Sequence, residues 1–216
     1  MKVEVEITGI EEDILKEIIN IGFAKVADSF AIMAKQQVLI QVPKVEMVPI
    51  AELDAVLPEN KWEDSVVQSD IQGDMKAKNF LIFKQRQAMK LSDICIGCEN
   101  DFAGNYNAMR KSLLLETSNI LTGALLTQFA NIFNMSLCGT PPVAVPYTLR
   151  KTFADLIQNL ITFKPIVLTV KTQFLNIGEE IELPMVLVLD INSMFKILSA
   201  IRKRNQTDLN WLAHNN

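Results

Sequence analysis

One pattern occurs twice in this chain and constrains its fold more than any other feature. Asp13-x3-Glu17-x2-Asn20 is followed by Pro43 with twenty-two residues between Asn20 and the proline, and Ser112-x3-Glu116-x2-Asn119 is followed by Pro142 at the same interval. The second copy begins ninety-nine positions after the first. At about 100° per residue, the three polar positions of each copy fall within about 60° of one another and share one helix face. The opposite face is apolar: Leu15, Ile19, Gly22, Val26, Phe30 and Met33 in the first copy, and Leu114, Leu121, Leu125, Phe129 and Ile132 in the second. Two amphipathic helices carrying the same polar triplet in register are the signature of an internal repeat.

The chain has 216 residues, of which 49% are hydrophobic and 21% charged, enough to bury a sizeable core in one domain. A single domain over 1–216 is therefore expected, with repeats at about 11–97 and 106–203 and a tail at 204–216, because neither half alone offers a comfortable core. The net charge of −4 and the pI near 5.2 give no basic excess for a nucleic-acid partner. No apolar run approaches the roughly 20 residues needed to cross a bilayer. The opening Met1-Lys2-Val3-Glu4-Val5-Glu6 alternates with charge and is not a signal peptide, so a cytoplasmic location away from the membrane is expected.

Histidine and cysteine chemistry is poorly supplied. His214 is the only histidine, so no internal imidazole is available as the base of a Ser-His-Asp or Cys-His arrangement. Cys95-Ile-Gly-Cys98 is a lone C-x-x-C with no second pair, and Cys138 stands apart. A zinc site built from these residues lacks support, and buried free thiols are the expected reading, with no metal held by the chain.

Taken in order, the sequence predicts a helix over 11–34, a strand at 37–42 that ends at Pro43 and is extended or replaced by 45–50, and a helical turn at Ala51–Leu57. Strands at 65–72 and 76–84 and a helix at 87–97 complete the first half. A polar stretch, 98–105, joins the halves. The second half repeats the order: helix 106–133, strand 136–140, a helical insertion at 147–160, strands 165–175 and 180–190, a helix at 193–202, and a loose tail. Short connections favour antiparallel pairing. The fold class is α+β: two pseudo-symmetric helix–(strand)3–helix repeats forming a largely antiparallel sheet, with two long helices that carry the triplets.

The doubled motif resembles the CheC/CheX/FliY family of response-regulator phosphatases. Leu15-Lys-Glu-Ile-Ile-Asn20-Ile-Gly22 and Leu115-Glu-Thr-Ser-Asn119-Ile-Leu-Thr-Gly123 are similar to that family's paired active-site helices, and Val42-Pro43-Lys-Val-Glu-Met-Val-Pro49 extends the likeness. The two-copy layout is closest to CheC, since CheX carries one such motif per chain. FliY carries an additional flagellar-switch domain for which this chain has no length, which disfavours a FliY role.

The resemblance implies hydrolysis of the aspartyl phosphate of a CheY-type receiver in chemotaxis-like signalling. An acyl phosphate already hydrolyses spontaneously, and the receiver brings its own magnesium and lysine. The resemblance therefore implies no cofactor bound by this chain. What remains is to place a water for in-line attack, which a carboxamide oxygen does by accepting its hydrogen bond. By this likeness Asn20 and Asn119 orient the water. Glu17 and Glu116 pair with the receiver's lysine. Asp13 and Ser112 take part in docking, and Pro43 and Pro142 are structural. Ala24 and Gly123, one turn after each Asn, leave room for a partner. Glu11, Glu12 and Asp13 surround the first motif against Lys16 alone, whereas Arg110 and Lys111 flank the second, which should favour the second for an anionic partner.

Three other readings stand beside this one: a module that binds a phosphorylated receiver without turnover, a regulatory scaffold for CheD, which such proteins resemble partners of, and an unrelated hydrolase using its glutamates as acid and base. The last is weak, because each helix offers one motif glutamate and no second carboxylate common to both copies.

Overall fold

The structure is a computed structural model, and residues 7–47, 64–97, 105–145, 166–175 and 178–214 are described here. The expected helical turn at 51–57, the insertion at 147–160 and Cys98 lie outside the described residues.

The chain enters helix α1 (Gly9–Ala24) through a capping box. Thr8 Oγ1 accepts the Glu11 N–H at 3.3 Å, and Glu11 Oε2 accepts the Thr8 N–H at 2.8 Å, so two otherwise unpaired donors are satisfied. Helix α2 (Ala27–Ala34) follows after a tight turn at Lys25–Val26, where the Val26 N–H bonds back to the Phe23 carbonyl at 3.1 Å. The single helix expected over 11–34 is thus two, and it starts earlier. The turn bonds three residues back instead of four, which breaks the regular ladder. Asp28 then falls in the first turn of α2, where a negative charge suits the helix end.

Strands β1 (Val38–Met47), β2 (Ser65–Gly73) and β3 (Ala77–Phe83) and helix α3 (Gln85–Cys95) complete the first half. The second half runs α4 (Tyr106–Phe133), β4 (Leu137–Gly139), β5 (Val143–Val145), β6 (Ile166–Phe174), β7 (Glu179–Leu189) and α5 (Ile191–His214). The tail expected to be loose is helical through His214. Between Arg202 and His214 there is no Gly or Pro to stop the helix that starts beyond Asp190, whose Oδ1 accepts the Ser193 N–H at 2.6 Å.

The strands form one antiparallel sheet in the order β1-β6-β7-β3-β2-β4, with β5 also paired to β2. Read from either edge, the order is the same once β1 is matched with β4/β5, β2 with β6 and β3 with β7. The sheet is therefore pseudo-two-fold symmetric about the β3–β7 pair. Each half lends its first strand to the other: β1 pairs with β6, and β4/β5 with β2.

The correspondence extends to irregularities. On β1, Gln41 pairs with Lys171 and Lys44 with Thr169, so a register shift brackets Val42 and Pro43. On the opposite edge, Gly139 pairs with Ile71 and Val143 with Gln68, so the shift brackets Thr140, Pro141 and Pro142. Proline has no N–H to donate, and an edge-strand bulge is where a sheet accommodates one. Pro43 thus lies inside an edge strand, where the sequence suggested a strand end. Lys35 and Asn134, ninety-nine positions apart, both close their helices in the left-handed conformation, at φ 53° and 51°. Gly73 and Gly178, both at positive φ, turn the β2–β3 and β6–β7 hairpins.

α1 and α2 pack on β1, while α4 packs on β2 and β4 and against α1. Leu15, Ile19, Phe23, Val26 and Phe30 from the first helices and Leu114, Leu121, Leu125 and Phe129 from α4 are buried in one hydrophobic core with Ile71, Leu81, Leu183 and Leu187 of the sheet. Asn79–Phe83 of β3 and Met185–Leu189 of β7 are buried without a break, as the central strands of a sheet covered on both faces. Among the described residues no helix is long and apolar enough to cross a membrane.

Candidate functional site

The triplets stand on the outer faces of α1 and α4. Asp13 and Glu17 are exposed and Asn20 is partly exposed; Ser112, Glu116 and Asn119 are all exposed. Helix periodicity produces this directly, because the apolar stripe must face the sheet and the triplet lies opposite it. The Asn20 amide group donates to the Lys16 carbonyl at 3.1 Å, which steadies its side chain along the helix. The Asn119 side chain makes no hydrogen bond among the described residues and is exposed.

The surroundings of each triplet are open. Ala24 is exposed, and a Cβ placed on Gly123 would have nothing within 4 Å. Gly22 has the opposite situation. A Cβ there would lie 3.0 Å from Gln128 Cβ and 3.5 Å from the Ala124 carbonyl oxygen, so this glycine lets α1 and α4 approach closely. Gly22, Ala124 and Gln128 sit about 140–200° around their helices from Asn20 and Asn119. Each helix therefore keeps its triplet together, and the two triplets form separate sites instead of one composite pocket.

The electrostatic setting of the first site differs from the sequence reading at Glu11. Glu11 is only 5% exposed and faces away from the triplet. Its Oε1 accepts Arg202 Nε at 2.5 Å and its Oε2 lies 3.5 Å from Nη2. The Glu11 charge is neutralised by α5 and does not belong to the acidic surround of the first motif. Without it the first helix carries Glu12, Asp13 and Glu17 against Lys16, a net −2, while the second carries Arg110 and Lys111 against Glu116, a net +1.

The hydrogen bond from Arg202 holds the Glu11 carboxyl below its ordinary value of 4.5. A carboxylate with a lowered folded-state pKa contributes stability that is fully present above its unfolded pKa and is lost as pH falls through the folded value. Arg202→Met is accordingly expected to melt at a lower temperature than the parent at pH 7. The gap should narrow once pH drops below about 4.5 and close in stronger acid. Melting curves at pH 7 and pH 3 check this, and an unchanged gap at both pH values would count against the pair. The sequence held the Thr8-x-x-Glu11 capping signal, which places the helix start two residues before the expected one. It held no signal for Arg202, which lies 191 positions from Glu11.

Cys95 is partly buried, and burial pushes its thiol up to about 11. Cys138 lies exposed on the edge strand β4, contrary to the expectation of a buried thiol, because three-residue β4 is covered on one side only by β2.

The fold is α+β, with a Glu-x2-Asn triplet on the outer face of each of two helices, and known proteins resemble it as follows. The family described as the CheC-like family matches residues 10–47, the stretch that contains the first triplet and Pro43. The flagellar motor switch phosphatase FliY of Bacillus subtilis is 24% identical over 138 residues, covering 63% of this chain and 36% of that protein. The chain thus spans about a third of the length of this curated relative. In structure, Thermotoga maritima FliY superposes with a TM-score of 0.69 at 15% identity, covering 92% of this chain and 99% of the other. CheX in the Borrelia burgdorferi complex of CheX, CheY, beryllium fluoride and magnesium gives 0.50 at 15% identity, covering 78% and 96%. The chain is thus similar to the CheC-like family over residues 10–47 and to FliY over 138 residues, and it has the α+β fold of the solved FliY and CheX structures.

Proposed function

We propose that this protein hydrolyses the aspartyl phosphate of a CheY-type receiver, at two sites. The observation that carries the reading is the repetition of one outward triplet on two helices, each followed one turn later by a small residue with open space before it. A relative named as a phosphatase and a solved complex of CheX with CheY support the reaction class and the partner.

In this mechanism the chain supplies no nucleophile of its own. Docking brings the face of α1 or α4 to the receiver's phosphorylated aspartate. Glu17 or Glu116 forms a charge-assisted hydrogen bond with the receiver's lysine and fixes the pose, with Asp13 or Ser112 one turn earlier on the same face. The Asn20 or Asn119 carboxamide oxygen accepts a hydrogen bond from a water and holds it in line with the phosphorus–oxygen bond to be broken. The water oxygen then bonds to phosphorus, the aspartate carboxylate leaves, and inorganic phosphate is released. Positioning of this kind is how one carboxamide accelerates phosphoryl transfer without acting as a strong base. Magnesium, which would neutralise charge on the phosphoryl group, would come with the receiver; the solved CheX–CheY complex of Borrelia burgdorferi contains it. Pro43 and Pro142 act at a distance, shaping the edge strands by interrupting their ladders.

The test is the decay of a magnesium-bound, phosphorylated CheY-type receiver with catalytic amounts of the protein. Faster decay upholds the proposal. Tight binding with unchanged decay would replace it by the sequestering module.

The two sites are expected to be unequal. A phosphorylated receiver pocket is anionic, so the +1 helix attracts it better than the −2 helix. Asn119→Ala should therefore lose more activity than Asn20→Ala at low ionic strength, with the difference shrinking as salt screens it. Equal or reversed losses at low salt would contradict this ranking.

A further inference from the structure

We propose that Arg202 is a positioning residue for the first motif and not for the second, so that α5 governs one site selectively. Its kinetic arm rests on the phosphatase reading above. The Glu11 carboxylate has two tasks. It closes the N-cap of α1 by accepting the Thr8 N–H at 2.8 Å, and it receives Arg202 Nε at 2.5 Å. One group therefore ties the first turn of α1 to α5, two residues before Asp13. Glu11 is 5% exposed. Without the guanidinium it would be a buried carboxylate with no cation, and it would either swing to water, opening the cap, or take up a proton and weaken its hold on the Thr8 N–H. Either way the first turn frays, and Asp13 and Glu17 lose the fixed direction that docking needs.

Among the described residues the second motif has no buried cap carboxylate paired with α5. The first turn of α4 contains no acidic residue, and Asn105 makes no side-chain capping bond. The start of α4 is instead tied to α3, through the Tyr106 hydroxyl donating to Asp93 Oδ1 at 3.0 Å. α4 also runs unbroken for 28 residues, so the second triplet, which begins at its seventh residue, has four further turns of helix beyond Asn119. The first begins at the fifth residue of a 16-residue helix that ends one turn after Asn20, and so depends more on its cap.

The two sites provide an internal control. Arg202→Met is placed in the Asn119→Ala background, where only the first motif is complete, and in the Asn20→Ala background, where only the second is. In the first background kcat/KM for the phosphorylated receiver should fall about tenfold, below the hundredfold that a 1 Å misplacement can cost, and in the second it should stay within about twofold. Arg202→Lys should restore part of the loss. Equal falls in both backgrounds would identify a general structural defect and overturn the proposal, as would no fall in the first.

Amide exchange of the protein alone gives a readout independent of receiver hydrolysis. In Arg202→Met the amides of Glu12–Glu17 should exchange faster, while those of Lys111–Glu116 do not change. If neither Asn variant alters receiver decay, the phosphatase reading has failed and exchange alone decides. Speeding confined to α1 upholds the link to α5; uniform or absent speeding removes it.

Discussion

The Asn20→Ala/Asn119→Ala double variant is expected to leave a phosphorylated CheY-type receiver decaying at its spontaneous rate. The loss relative to the parent should be about a hundredfold or more if the carboxamides place the attacking water, because misplacing a reacting group by about 1 Å costs that much. Both residues lie on outward faces, and the Asn119 side chain makes no hydrogen bond among the described residues. Truncation at such positions changes stability by about 0.5 kcal/mol or less, so the loss is one of chemistry and not of folding. Binding of the phosphorylated receiver should survive if Glu17 and Glu116 fix the pose as proposed, because both remain. The Glu17→Ala/Glu116→Ala double variant should show the complementary result, weaker binding. Each single Asn variant should keep part of the activity, since the triplets are separate. Retention of full acceleration by the Asn double variant would remove the water-placing role from both residues.

The largest effect on stability is expected at Gly73→Ala. Gly73 has φ +111°, and a Cβ there would lie 2.1 Å from the Ser136 carbonyl oxygen and 3.1 Å from its carbon. These are backbone atoms that cannot step aside, because the Asp74 N–H donates to the same carbonyl at 2.9 Å and Asp74 Oδ2 accepts the Ser136 N–H at 2.8 Å. The glycine lets the β2–β3 hairpin of one half close onto the chain leaving α4 in the other. A left-handed residue costs about 1–2 kcal/mol, and forcing the strands apart weakens two hydrogen bonds of about 1 kcal/mol each, for a total near 3 kcal/mol. For a chain of this size that corresponds to about 6–12 °C in Tm. Gly178→Ala is the control. Its φ is +65° with nothing within 4 Å, so only the conformational cost of about 1–2 kcal/mol remains. Melting points for the two variants within a couple of degrees of each other would show that the contact with Ser136 yields easily.

What was legible in the sequence was what a short window encodes. The period of apolar residues fixed which faces of α1 and α4 turn inward, so Asp13, Glu17, Asn20, Ser112, Glu116 and Asn119 stand where the spacing put them. The bounds of α4 follow from the same pattern, and the two hairpins follow from alternating strands on either side of a glycine turn. The break between α1 and α2 was not legible, because Lys25 and Val26 are ordinary helix residues and the turn at Phe23–Val26 is a choice between two nearby carbonyls. The length of α5 was missed for a related reason: a polar composition reads as loose chain, although nothing in it stops a helix.

Among the site residues, Glu11 shows the limit most plainly. Its spacing places it in the first turn, and its charge reads as part of the acidic surround of the first motif. Only the fold brings Arg202 from α5 against it, which removes that charge from the site. The exchange of edge strands has the same character. Each of β1, β4 and β5 has a strand pattern that any neighbour with a free edge would satisfy. Their partners, β6 and β2, belong to the opposite half, and that choice follows from closing one sheet over one core, because neither half covers its own apolar face alone. The sequence by itself determined the repeat, the helix faces and the paired triplets, since those depend on residues a turn or two apart. The tertiary structure decided which half supports which, the slips at Pro43 and Pro142, and the tie from Arg202 to Glu11, since those depend on pairings across more than sixty residues that no local pattern specifies.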